Sequence, residues 1–169
     1  LPEFIEARKQ NWDTLRRGLA AHDEVLEFAL PTHATEWDPD QGFSWDDTGC
    51  RTECSWFGFK IAVKPAAAFN RTELAQELDR NLIGNRMLFG GNLLRQPAFV
   101  QLCQDNPEAL RVVGEVKGSD EIMHSTMFLG TYPGLTQEMR KQEVQVIADF
   151  LRAQRKSPTI ASPGSSVFH

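Results

Sequence analysis

The stretch Ser55-Trp56-Phe57-Gly58-Phe59-Lys60-Ile61-Ala62-Val63-Lys64 decides how the rest of the chain is read. Phe57, Phe59, Ile61 and Val63 fall on one side of it and Trp56, Gly58, Lys60 and Lys64 on the other, the period-two signature of a half-buried strand. On this pattern Phe57 and Phe59 point into a core, and only Trp56 is left free for another role. A strand with one apolar face needs partners beside it and a layer over it, so the flanking segments must supply both.

Downstream, Asn70 followed by Glu73 has the form of a helix N-cap with its reciprocal acid, and Phe69 with Leu74 can form the hydrophobic staple. A helix is expected from Arg71 to about Leu82, with Leu74, Leu78 and Leu82 repeating every four residues and Gly84 ending it. Asn85 to Phe89 then reads as a short strand that breaks at Gly90-Gly91-Asn92, where glycine permits a tight turn. Pro97 to Gln104 suits a short helix with proline in its first turn. Asn106-Pro107 restarts the chain, Thr126 to Tyr132 is a further strand and Pro133-Gly134 a turn. Thr136 can cap a last helix whose buried stripe is Val144, Ile147, Ala148 and Leu151, reaching about Gln154.

Upstream, Thr32 to Glu53 is rich in Asp, Gly, Thr and Pro without a sustained period and reads as a long loop. Val25 to Leu30 has the content of a short strand ended by Pro31. Leu1 to Ala21 places Ile5, Trp12, Leu15 and Leu19 at helical spacing, with Arg8, Lys9, Arg16 and Arg17 between them, so it is an amphipathic helix. No capping residue precedes Pro2, and the start is expected to be a cut through a longer chain. The order of elements is α+β: a small, mainly antiparallel sheet with helices packed on one side, over residues 1–156. Ser157 to His169, with two prolines and four serines, is expected to be a flexible tail.

The whole chain has 169 residues, 41% hydrophobic and 24% charged, which suits one globular domain. A net charge of -5 with both signs interspersed offers no field for a nucleic-acid backbone. No apolar run approaches membrane-spanning length, and the first residues are not a signal peptide. Three cysteines do not make a disulfide framework and fit a reducing compartment, so a cytoplasmic location is expected.

Cys50 and Cys54, with His33, Asp46 and Asp47 nearby, invite a zinc reading, but C-x3-C lacks a second pair and Cys103 lies in an apolar helix. His22, His33, His124 and His169 share no ligand spacing. Ser55, Ser119 and Ser125 lack a nucleophile-elbow setting, and no phosphate-binding glycine motif is present. The remaining concentration is Asn85 to Phe99. There Arg86 and Arg95 flank a glycine turn with Asn92, so backbone amides, an amide side chain and two guanidinium forks could converge on a pyrophosphate. The alternative is a strand end whose arginines pair at the surface.

Three strings carry a resemblance. Ser55-Trp56-Phe57-Gly58-Phe59, then Ile83-Gly84-Asn85-Arg86-Met87-Leu88-Phe89-Gly90-Gly91-Asn92 with Arg95-Gln96-Pro97-Ala98-Phe99, then Gly130-Thr131-Tyr132-Pro133-Gly134-Leu135-Thr136, resemble the C-terminal part of the CDP-4-keto-6-deoxy-D-glucose 3-dehydrases of lipopolysaccharide biosynthesis. These form a branch of the DegT/DnrJ/EryC1/StrS sugar aminotransferase family. The opening helix, with Ala7-Arg8-Lys9 and Leu15-Arg16-Arg17-Gly18-Leu19, is similar to the one that follows the large domain in that family, and the likeness runs from residue 1 to about Phe150. It implies the small C-terminal domain of an aspartate-aminotransferase-like, pyridoxal-phosphate-type enzyme.

In such a parent a large domain holds pyridoxamine or pyridoxal phosphate, with histidine replacing the usual lysine in the dehydrase branch, and a 2Fe-2S cluster on its own cysteines. The reaction implied is loss of the C3 hydroxyl of a CDP-linked 4-keto-6-deoxy sugar, with a partner reductase, in a homodimer. The fragment is expected to bind no cofactor or metal and to contribute no catalytic residue. Arg86, Gly91, Asn92 and Arg95 are expected nearest the sugar nucleotide. A sugar aminotransferase of the same family and a stand-alone binding module are the alternatives. Phe43 to Cys50 makes a longer entry to the Ser-Trp-Phe-Gly-Phe strand than the family leads one to expect.

Overall fold

The computed structural model describes residues 1–156, and the expected tail lies outside the described residues. Four strands form one antiparallel sheet in the order β1-β4-β6-β5: β1 (Leu26–Phe28), β4 (Gly58–Val63), β6 (Thr126–Gly130) and β5 (Asn85–Met87). Directly opposed residues share a face. Phe59 faces Leu129, Ile61 faces both Met127 and Phe28, and Val63 faces Leu26, and all are buried. Over this side lie α1 (Pro2–Gly18), α2 (Arg71–Arg80) and α5 (Gln137–Lys156), supplying Trp12, Leu15, Leu74, Leu78, Ile147 and Leu151 to the same core. The α+β arrangement read from the alternation is therefore the one observed.

α2 starts as its sequence requires. Asn70 accepts from the Glu73 amide at 3.1 Å and Glu73 returns a bond to the Asn70 amide at 2.7 Å, a complete capping box. The helix ends earlier than the leucine repeat suggests. Leu82 is left-handed, with φ of 59°, and 94% exposed, while Ile83 turns in to take the buried place. A side chain two residues past the last helical position no longer follows the helical period.

The structure corrects or extends the sequence reading at four further points. The β-ladder begins at Gly58, not Ser55, and the face reading fails just before it: Phe57 is 65% exposed, while Trp56 stacks on Trp12 at 4.6 Å and 8°. A Cβ at Gly58 would come within 2.5 Å of the Phe128 ring, so the chain bends where glycine allows close approach and the alternation shifts by one. The segment read as a loop holds a hairpin, β2 (Ala34–Asp38) and β3 (Gly42–Trp45). Asp38 accepts from the amides of Asp40 and Gln41, both at 2.8 Å, and Gly42 has φ of 78°, so the Asp-Pro-Asp-Gln-Gly run folds as a tight turn.

Arg16 is not a surface residue. It is 7% exposed, held between the rings of Phe28 and Trp37 at 4.6 and 4.4 Å and paired with Asp23 at 2.7 Å. Finally, α4 (Lys117–Ser125), unassigned in the sequence, follows α3 (Pro97–Asp105) and leads directly into β6.

Candidate functional site

The strand β5 and the turn after it carry the residues singled out for ligand binding. Gly91 has φ of +61°, and a Cβ there would lie 2.6 Å from Met123, so only glycine lets the turn close against α4. Asn92 is buried. Its oxygen accepts from the Leu94 amide at 3.0 Å, capping the 3-10 turn Leu93–Arg95, and its amide donates to Asp120 on α4 at 2.8 Å. Arg95 grips the same carboxylate with two bonds, Nε to Oδ1 at 3.1 Å and Nη2 to Oδ2 at 3.0 Å. Hydrogen bonds from Arg95 and then Asn92 hold the Asp120 carboxyl down at about 2.

The structure therefore brings Asn92 and Arg95 together on an internal carboxylate and leaves Arg86 apart from them. Arg86 is exposed, and among the described residues its guanidinium donates only to the Asn85 carbonyl beside it, at 2.8 Å. It sits opposite Phe128 on the sheet face not covered by α1, α2 and α5, and Lys60 lies across the same phenylalanine from β4. Phe57 and Phe89 flank that row, 5.6 and 6.0 Å from Phe128 between ring centres and 77% exposed in the case of Phe89. Two cations, of which Lys60 pairs with Glu27 at 3.6 Å, and three rings thus share one face. Phe57 was hidden by the alternation, which set it on the other side, whereas Lys60 was already read on this face.

Arg71, at the first position of α2, is a cation that its sequence did not announce. It lines a pocket of about 240 Å³ with Leu88, Phe89, Gly90, Gly91 and Gln96. Its Nη1 donates to the Met123 carbonyl at 2.9 Å, its buried Nε has no partner, and desolvation lowers its pKa. Arg71 is two residues ahead of the capping acid and looks like an ordinary helix surface residue in one dimension.

The cysteine segment assembles differently. Cys50 is exposed and Cys54 half-buried, and burial pushes the Cys54 thiol up, away from the thiolate a metal or an electrophile needs. His33 meets Asp46 at 3.0 Å, and hydrogen bonds from Thr48 and His33 lower the Asp46 carboxyl, so these groups close the end of the hairpin on one another. Among the described residues no group of three or more His, Cys, Asp or Glu side chains could hold a metal ion. No described helix is long and apolar enough to cross a membrane.

Residues 1–149 match the DegT/DnrJ/EryC1/StrS aminotransferase family. The chain is 40% identical over 148 residues to the lipopolysaccharide biosynthesis protein RfbH of Salmonella typhimurium, covering 88% of this chain and 29% of that protein. It is 35% identical over 148 residues to a dTDP-4-dehydro-2,6-dideoxy-D-glucose 3-dehydratase of Saccharopolyspora spinosa, covering 88% and 27%. In three dimensions it is similar to the E. coli GDP-4-keto-6-deoxy-D-mannose-3-dehydratase with bound hydrated PLP, with a TM-score of 0.64 and 20% identity over 86% of this chain and 31% of that one. The chain thus spans about a third or less of the length of the relatives it matches. With its three motif strings, its sheet and its family match in agreement, the chain belongs to the DegT/DnrJ/EryC1/StrS aminotransferase family.

Proposed function

We propose that this chain is the small-domain portion of an enzyme that removes the C3 hydroxyl of CDP-4-keto-6-deoxy-D-glucose during deoxysugar synthesis for lipopolysaccharide. The observation that carries the reading is the 40% identity to RfbH over 148 residues, together with a second relative named for 3-dehydration. The proposal includes a homodimeric, cytoplasmic parent with a 2Fe-2S cluster and a partner reductase, and assigns the fragment no activity of its own. When bound, the B6 cofactor supplies the electron sink for breaking the C–O bond.

The described residues around Gly90 and Gly91 do not fit as that cofactor's holder. The pocket beside Gly90 and Gly91 contributes Arg71 but no lysine, histidine or aspartate to its lining, and the cysteines do not group into a cluster site. No chemical step is therefore assigned to them. Their part in the proposal is to bind and orient substrate. Asn92 and Arg95, anchored on Asp120, fix the shape of the turn, Gly91 lets it approach closely, and Arg86 presents a guanidinium without a carboxylate partner beside exposed rings. A guanidinium suits the pyrophosphate of a sugar nucleotide, and the rings suit its base.

In the full-length enzyme, Arg86→Ala is expected to raise KM for the CDP-sugar about tenfold while changing kcat less than about twofold, the pattern of lost uniform binding. An unchanged KM overturns the assignment of Arg86. Product analysis tests the reaction itself: a C3-deoxygenated sugar supports dehydration, and a C4-amino sugar overturns it in favour of transamination.

A further inference from the structure

A second pocket, of about 290 Å³, opens where β6 ends, away from the turn around Gly91. Its walls include Leu82, Gly130, Tyr132, Leu135 and Met139, and Glu143 of α5 lies against it. Glu143 is 7% exposed, and its Oε2 is buried without a hydrogen-bond partner. A buried carboxylate oxygen left in this state costs free energy unless a donor reaches it.

Among the described residues no group donates to it, although Arg140 is the nearby cation and its own buried Nε is likewise without a partner. Arg140, one turn earlier on α5, directs its Nη1 to Asn11 Oδ1 on α1. Asn11, itself 1% exposed, donates to the carbonyls of Thr131 and Tyr132 at 3.2 and 2.8 Å, which pins the backbone of the pocket wall. Tyr132 is the one other titratable side chain in the lining among the described residues. Leu82, 94% exposed, Tyr132, 49%, and Met139, 45%, give the mouth an apolar side, and Gln142 of α5 adds a polar one.

We propose that this pocket binds an alkyl cation, an ammonium or guanidinium on an aliphatic stem, with the stem over Leu82, Tyr132 and Met139 and the head donating to the Glu143 carboxylate. The chemistry follows from the order of the walls. An acceptor at the base with an apolar and aromatic rim fits a ligand that is charged at its tip and apolar along its length. A neutral apolar ligand would leave the carboxyl unpaired, and an anion would face it directly. Burial pushes Glu143 up to about 7, and the Arg140 charge offsets only part of that.

The test is a nuclear magnetic resonance titration of the chain with n-butylguanidinium, with n-butanol as the neutral control. Saturable shifts at Gly130, Tyr132 and Met139 are expected with the cation and not with the alcohol. Binding must also lower the Glu143 pKa, by about one unit or more when the site is saturated. Glu143→Gln, which keeps the shape and removes the charge, should weaken binding about tenfold or more without altering the dispersion of the spectrum. Absence of saturable shifts, equal binding of butanol, or unchanged binding by Glu143→Gln overturns the proposal. The full-length protein separates two sources of the cation. If a lysine or arginine of the longer polypeptide occupies the pocket, that protein will not take up n-butylguanidinium, and if the natural ligand is a free amine, it will.

Discussion

α2 and α3 differ by one residue in length and lie on opposite sides of β5 in the chain, yet they behave in opposite ways. α2, Arg-Thr-Glu-Leu-Ala-Gln-Glu-Leu-Asp-Arg, is the more polar and buries Leu74, Ala75 and Leu78. α3, Pro-Ala-Phe-Val-Gln-Leu-Cys-Gln-Asp, is the more apolar and buries none of its residues, with Val100 39% and Leu102 41% exposed. The difference lies in placement rather than composition. Leu74, Ala75 and Leu78 form one stripe that lands on the sheet and α5, whereas the apolar residues of α3 cover much of its circumference and meet only the adjacent 3-10 turn closely. α4 repeats the behaviour of α3, again with no buried residue.

The sharpest way to break this contrast is Leu78→Ala in α2, expected to cost about 3 kcal/mol of unfolding free energy by urea titration, since it empties a fully buried site. A loss below about 1 kcal/mol would mean that α2 is no better packed than α3.

Glu143 tests the packed layer from its polar side. Its native pKa of about 7 stands above the ordinary 4.5, so the native state keeps a proton that the unfolded chain has released. Stability is full below about pH 4.5, falls as pH rises towards 7 and then levels, by about 3 kcal/mol in all. Glu143→Gln should remove that slope and be the more stable protein at pH 8, as read from paired urea titrations at pH 5 and 8.

Asn70→Ala removes the capping box and should cost about 1 kcal/mol by the same titration. The start of α3 has no side-chain cap to lose. Smallest of all, Val100→Ser on α3 should change stability by less than about 0.5 kcal/mol. A larger loss would show that α3 is packed in solution after all.

Legibility in the sequence followed the range of the interactions involved. The capping box at Asn70 and Glu73, the alternation from Phe59 to Val63 and the stripe through Ile147 and Leu151 are local patterns, and each was found where expected. The hairpin was missed because its strands are short and its sheet has no continuous apolar alternation, although the Asp-Pro-Asp-Gln-Gly turn signal was present. At the turn after β5 the residue types were visible, but Asp120, which takes up both Asn92 and Arg95, lies about 25 residues further along the chain.

From sequence alone came the order of most elements, the α+β class, and, through the three motif strings, the family. All of these rest on near neighbours along the chain or on strings distinctive enough to be matched without coordinates. Tertiary structure alone decided that Trp56 rather than Phe57 enters the core, that Arg16 is buried between two rings, that Arg86 rather than Arg95 is left without a carboxylate, and that Glu143 lies buried with an unpaired oxygen. The physical reason is common to them. Each outcome depends on which distant groups arrive to share a face or satisfy a charge, and no local period encodes that.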